Sequence, residues 1–199
     1  MVDVITRRAP WSSTWESFGF RRDLTVPCSA PEAKVPISVR AMDDALAKQM
    51  FDLTESGITE DERELRKSRS ELWESGIGLG FVAVTEDGDP AYCQWLIGPE
   101  FNDDIRQFFD GVFPVLGQGE ALLEGAFTPE AHRGKGIMPA AMARIAEHGA
   151  DVGATSIITF VTADNVPSIK GCERSGFAAY TRRLVVWNGL RRSVTFESL

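Results

Sequence analysis

The stretch Phe127-Thr128-Pro129-Glu130-Ala131-His132-Arg133-Gly134-Lys135-Gly136-Ile137-Met138 decides the fold. Residues 120–127 enter it with the alternation of a strand, and residues 138–152 leave it with helical spacing. Between the two stand two glycines, which let backbone approach a ligand closely, and two cations, Arg133 and Lys135. A helix start also presents unpaired N–H groups and the positive end of its dipole. Together these make a phosphate cradle. A tight turn is the plainer reading of glycine and lysine before a helix. A nucleoside-triphosphate loop fails, because Pro129 stands where its first glycine belongs and Gly136 follows the lysine in place of Ser or Thr. The dinucleotide fingerprint fails at Pro139, where its third glycine belongs.

The pattern Arg133-x-x-Gly136-x-Met138 resembles the pyrophosphate-binding signature Arg-x-x-Gly-x-Gly/Ala of the GNAT superfamily of acyl-CoA-dependent N-acyltransferases. Met138 replaces a small residue, and its N–H can donate if its thioether turns away from the ligand. A second stretch, Asn165-x-x-Ser168 followed by Arg174-Ser175-Gly176-Phe177, resembles the other hallmark of that family. Cys172 holds the position of the family's usual tyrosine. The resemblance spans roughly residues 36–197.

The fold implied is α/β (α+β): the GNAT acyltransferase fold, with a mixed central sheet, a parallel βαβ cofactor unit and a C-terminal β-hairpin. The domain would cover residues 35–199. Residues 1–34, with Trp11, Trp15, Phe18 and Phe20, read as an aromatic arm packed on it, since so many aromatics do not suit a floppy tail. Within the arm, 18–26 is expected as an edge strand and 27–36 as a linker.

Outward from the cradle the pattern is regular. A short strand covers 36–40. A helix capped by Asp43 or Asp44 runs to about residue 54. Thr59 with Glu62 forms a capping box for a second helix to about residue 74, whose pairs such as Glu62 with Arg66 read as a solvated face. Strands at 79–85 and 91–97 flank a turn. Residues 101–116 hold a short helix at 103–110, with Phe108 and Phe109 docking inward, and suit a lid or pocket wall. His148 reads as a surface or packing residue. Residues 155–162 form a strand covered on both faces, which completes strand, helix, strand. A hairpin closes the chain around a type I′ turn at Asn188-Gly189.

Composition narrows the functions. With 199 residues, 43% apolar and 25% charged, the chain is an ordinary globular domain. A net charge of −8 opposes nucleic-acid binding and mildly favours a cationic acceptor such as an amine. Cys28, Cys93 and Cys172 are too few and too scattered for a disulfide framework or, with His132 and His148, a metal site. No apolar run suits a membrane helix or a secretory signal, so a reducing cytoplasm is expected. Whether two copies pair is left open.

The resemblance implies that Arg133, Gly134, Lys135, Gly136, Ile137 and Met138 hold the diphosphate of acetyl-CoA. It implies that Ala126, Phe127 and Thr128 end the thioester-holding strand, and that Asn165 and Ser168 meet the pantetheine arm. By period two, Glu120, Leu122, Glu124 and Ala126 share a strand face. An unpaired carboxylate there is costly unless it meets water, a partner or a site. The resemblance makes both acids candidate bases for the attacking amine. Glu124 stands next to the expected thioester, and the spacing of Glu120 ahead of Arg133 is similar to that of the base in the family's histone-type members; Glu124 is ranked ahead of Glu120. Cys172 is the candidate acid for the departing thiolate, or a small core residue. A non-catalytic acyl-CoA-binding module or sensor, and a donor longer than acetyl, are the alternatives.

Overall fold

The computed structural model describes residues 12–199, so Trp11 lies outside the described part of the arm. Eight strands form one mixed sheet: β1 (Ser12–Asp23), β2 (Ile37–Ala41), β3 (Leu79–Thr85), β4 (Pro90–Ile97), β5 (Glu120–Phe127), β6 (Ser156–Thr162), β7 (Ala178–Asn188) and β8 (Arg191–Ser198). Their spatial order is β2-β3-β4-β5-β6-β1-β7-β8. Helices α1 (Asp44–Met50), α2 (Glu60–Glu74) and α3 (Asn102–Phe108) pack over one core, with Trp95, Leu122 and Phe127. Helices α4 (Ile137–Ala146) and α5 (Val166–Arg174) cover the opposite core, with Phe20, Leu123 and Ile157.

The largest correction concerns the arm. The strand expected at an edge over 18–26 is an interior strand starting at Ser12, antiparallel to β6 on one side and β7 on the other. Its polar residues concealed this, because interior strands usually read as apolar runs. Several of those residues have specific partners. Ser17 accepts from Arg183 (3.1 Å), Glu16 pairs with Arg182 (3.5 Å), and Arg21 pairs with Glu120 (2.7 Å). Buried Arg22 donates to the carbonyls of Ala143 and Ser175, at the ends of α4 and α5.

Between β1 and β2 the chain crosses α4. Arg144 of α4 donates to the Ile37 carbonyl (2.6 Å), and Gly136 lies against Ala33. Covered by sheet, α5 and this crossing, α4 is buried on nearly all sides, at Pro139, Ala140, Ala143 and Ala146 as well as at Ile137, Ala141, Met142 and Ile145. Its all-round apolar sequence follows from that burial. The helix is shorter than expected, and 147–152 continue as a 3-10 segment. His148 there pairs with Asp151 (2.9 Å) and lies tilted against the ring of Phe81.

Three smaller expectations also change. Phe109 docks against Phe113, but Phe108 stays 37% exposed. The hairpin pairs Asn188 with Arg191, so its two-residue turn is Gly189-Leu190. Gly189 has φ +61° and Leu190 has no positive φ, a pattern of type II′ and not I′. Finally, Glu62 and Arg66 are no solvated pair: each side chain is 3% exposed, with 2.7 Å between Oε1 and Nη2. Thr59 does cap α2, accepting from the Glu62 N–H (3.2 Å), but the Glu62 carboxylate turns inward.

The two buried thiols, Cys93 and Cys172, are each pushed up to about 12 by burial. Both pKa values lie above the ordinary 9.0, so between pH 9 and 12 the unfolded chain holds fewer protons than the folded one. Stability then falls as pH rises, by about 1.4 kcal/mol per pH unit for each thiol. Thermal melts from pH 8 to 11 are expected to show this fall, and Cys93→Ala with Cys172→Ala to flatten it.

Candidate active site

The site is a gap that the sheet opens between two parallel strands. β5 and β6 pair only at Glu120/Ser156, Ala121/Ile157 and Leu122/Ile158. Beyond Leu122 they part. Each strand is braced on its far side, β5 by β4 and β6 by β1. The gap therefore leaves backbone groups of β5 without a ladder partner on that side, where an extended ligand can use them.

A bulge shapes the end of β5. Gly125 and Ala126 together oppose the single residue Gln94, between the pairs Trp95/Glu124 and Cys93/Phe127. Gly125 has φ +76°, and a Cβ there would sit 2.7 Å from Trp95 Cε3 and 2.9 Å from Leu72 Cδ2. The bulge ends the strict alternation: Phe127 joins Leu122 in one core, and Ala126 is turned to the exterior. Ala126 thus leaves the face it was expected to share with Glu120, Leu122 and Glu124.

The cradle stands where β5 hands over to α4. After Phe127, Thr128 and a 3-10 turn at Glu130–His132, Gly134 (φ +74°) and Gly136 (φ +72°) turn the chain into the helix, with Gly136 as N-cap. No side chain caps this end and no acid lies in its first turn. The N–H groups of Gly134, Lys135, Gly136, Ile137 and Met138 meet no acceptor outside the helix among the described residues. Pro139 has none to offer. A Cβ on Gly134 would meet nothing within 4 Å, whereas one on Gly171 would strike the Met138 sulfur. The thioether is therefore packed against α5, and the loop has room for an anion. Arg133 is 48% exposed, donating from Nε to the Thr128 carbonyl (3.1 Å) and lying 3.3 Å from Glu130. His132 has its pKa lowered by burial and then by Lys135, so it is neutral at pH 7.

Asn165 caps α5 at the mouth of β6, its Oδ1 accepting from the Ser168 N–H (3.2 Å). Of the two acids on β5, Glu124 lies on the parted section and Glu120 on the paired section, 2.7 Å from Arg21, whose guanidinium stacks over Tyr180. The structure does not bring Glu120 to the cradle. Cys172 is 1% exposed within the α4–α5 core and does not line an open surface.

Three contributors were missed from the sequence. Lys34, in the crossing segment, donates from Nζ to the Gly134 carbonyl (3.0 Å) and from its backbone to the Lys135 carbonyl (2.8 Å). Thr59 and Glu62, at the start of α2, hold Glu130. Nothing local marks Lys34, which lies about a hundred residues from its partners. For Glu62, a carboxylate on an otherwise regular amphipathic helix gave no hint of burial.

No helix among the described residues is long and apolar enough to cross a membrane, and no group of residues there could hold a metal ion. A comparison with curated proteins found no match. Among solved structures, the fold is similar to a GCN5-related N-acetyltransferase from Sphaerobacter thermophilus (17% identity, TM-score 0.57, covering 92% of this chain and 53% of that one). It is likewise similar to GNAT-family acetyltransferases from Colwellia psychrerythraea (17%, 0.54, 94% and 57%) and Novosphingobium aromaticivorans (15%, 0.55, 98% and 70%). The chain spans little more than half the length of the first two. The profile of the Acetyltransferase (GNAT) family matches residues 48–177, which hold the parted strands, the cradle and the start of α5. With both hallmark motifs placed at the open end of one parallel strand pair, the chain belongs to the GNAT family of acetyltransferases.

Proposed function

We propose that the protein transfers an acetyl group from acetyl-CoA to a primary amine by direct attack. The observation that carries this reading is the early parting of β5 from β6 below an uncapped, glycine-flanked helix start. Free N–H groups from Gly134 to Met138, with Arg133 and Lys135, would hold the diphosphate. The pantetheine arm would pair with the unladdered edge of β5 around Ala126 and Phe127 and pass the Asn165–Ser168 turn. Backbone N–H groups of β5 would polarise the thioester carbonyl as negative charge develops on its oxygen.

The amine nitrogen bonds to the carbonyl carbon, the carbon–sulfur bond breaks, and the sulfur leaves with its electron pair. One amine proton must be removed, and coenzyme A must regain one at sulfur. Glu124 is the proposed acceptor of the first, because it stands on the parted section. Glu120 is a weaker candidate in its ion pair with Arg21. With Cys172 in the core, return of a proton to sulfur is assigned to no side chain.

Thiol release from acetyl-CoA with a panel of primary amines tests the reaction, and propionyl-CoA and longer donors test the acyl length. Coenzyme A binding without turnover of any amine would favour a non-catalytic acyl-CoA sensor, which the burial of Cys172 also suits. Glu124→Gln is expected to lower kcat about a hundredfold near pH 6, with a smaller loss at pH 9, where more amine is already neutral. A pH–rate profile parallel to that of the parent would remove Glu124 as the base.

A further inference from the structure

We infer that Glu130 is a built-in competitor for the diphosphate, held over Arg133 by helix α2, and that it tunes affinity for the donor and for product coenzyme A. The inference rests on the donor reading above. An acid beside an anion-binding loop opposes the loop's task, yet this one is fixed by three separate bonds. Its Oε1 lies 3.3 Å from Arg133 Nη1. The same oxygen accepts from Thr59 Oγ1 (3.1 Å). Its backbone N–H donates to Glu62 Oε2 (3.1 Å).

Glu62 cannot drift. It is almost wholly buried, and its other oxygen receives Arg66 Nε (3.1 Å) and Nη2 (2.7 Å). Arg66 in turn donates to the Asp52 carbonyl (2.7 Å) and pairs with Glu55 (2.6 Å). A buried, doubly bonded ion pair is a rigid anchor. It places the Glu130 backbone, and the Thr59 hydroxyl then aims the carboxylate. Arg133 must exchange Glu130 for the diphosphate when a coenzyme A moiety arrives. The carboxylate that is left behind stays near the bound anion and repels it. Donor and product carry the same diphosphate, so both are held less tightly, and product leaves faster. Release of product is a frequent limit on turnover.

Isothermal calorimetry with coenzyme A tests this on the parent, Glu130→Gln and Glu130→Ala. Because Glu130 and Arg133 are both about half exposed, the change is moderate: Kd is expected to fall about two- to fivefold in both variants. The gain should shrink in 0.5 M salt, which screens an exposed pair. Pantetheine, which lacks the diphosphate, should inhibit parent and variants equally. Loss of a merely structural residue would weaken binding, so tightening distinguishes the competitor role. Unchanged or weaker coenzyme A affinity in both variants, with the parent still binding, would overturn the proposal alone. Absence of coenzyme A binding by the parent would overturn the donor reading and the proposal with it.

Discussion

Reversing both cations of the loop, Arg133→Glu with Lys135→Glu, is expected to abolish acyl-CoA binding while the protein stays folded. Each cation would contribute a charge-assisted hydrogen bond to the diphosphate, worth about 1.5–3 kcal/mol. Losing both and adding repulsion should weaken Kd by more than about a hundredfold. The fold should tolerate the change, because Arg133 is half exposed and its one ion pair among the described residues is with exposed Glu130. Calorimetry with coenzyme A, beside a thermal melt, is the measurement. Parent-like affinity in a folded double variant would remove the cradle from the account. The two cations do not act alone, since Lys34 also reaches the loop, but its amino group is engaged with the Gly134 carbonyl.

The second large effect is expected at Gly125. Gly125→Ala puts a Cβ on a residue at φ +76° and within 3 Å of both Trp95 and Leu72, two of the most buried side chains. A left-handed conformation costs an ordinary residue about 1–2 kcal/mol, and overpacking a filled core about 1–3. The sum, about 2–5 kcal/mol, should appear as a clear drop in Tm. A second consequence distinguishes this position from any other core glycine. Relief by straightening the bulge would return Ala126 and Phe127 to the opposite faces and spoil the strand edge that is to receive the thioester. Activity should therefore fall well beyond the loss of folded protein. A variant with parent kcat/KM at low temperature would show that the bulge shapes stability only.

Much of the fold was legible in local pattern. Asp43 and Thr59 cap their helices as expected, each accepting from the N–H three residues on. Asn165 caps α5 in the same way. These are short-range events governed by residue type and spacing, so sequence carries them. The handover from β5 to α4 was legible for the same reason: two glycines at positive φ and a proline in the first turn define it almost without reference to the rest of the chain.

Other features depended on partners far away in sequence. Nothing local to Arg21, Arg22 and Ser17 points to Glu120, Ala143 and Arg183, the distant groups they meet. Glu62 and Arg66 have the spacing of an exposed helical pair, and only the packing of α2 against the loop after β5 buries them. The β5–β6 ladder likewise ends at Leu122 while the two strands go on pairing on their outer sides, β5 with β4 and β6 with β1.

By itself, then, the amino-acid order determined where the capped helices start, and that a loop of glycine and cation meets a helix with its amides unspent. Tertiary structure alone decided that the arm threads the middle of the sheet, that the strands part at Leu122, and that an acid on a neighbouring turn is held across Arg133. The division has one cause: dihedral preferences and caps are settled within a few residues, whereas burial and charge pairing depend on which distant segments come to lie alongside.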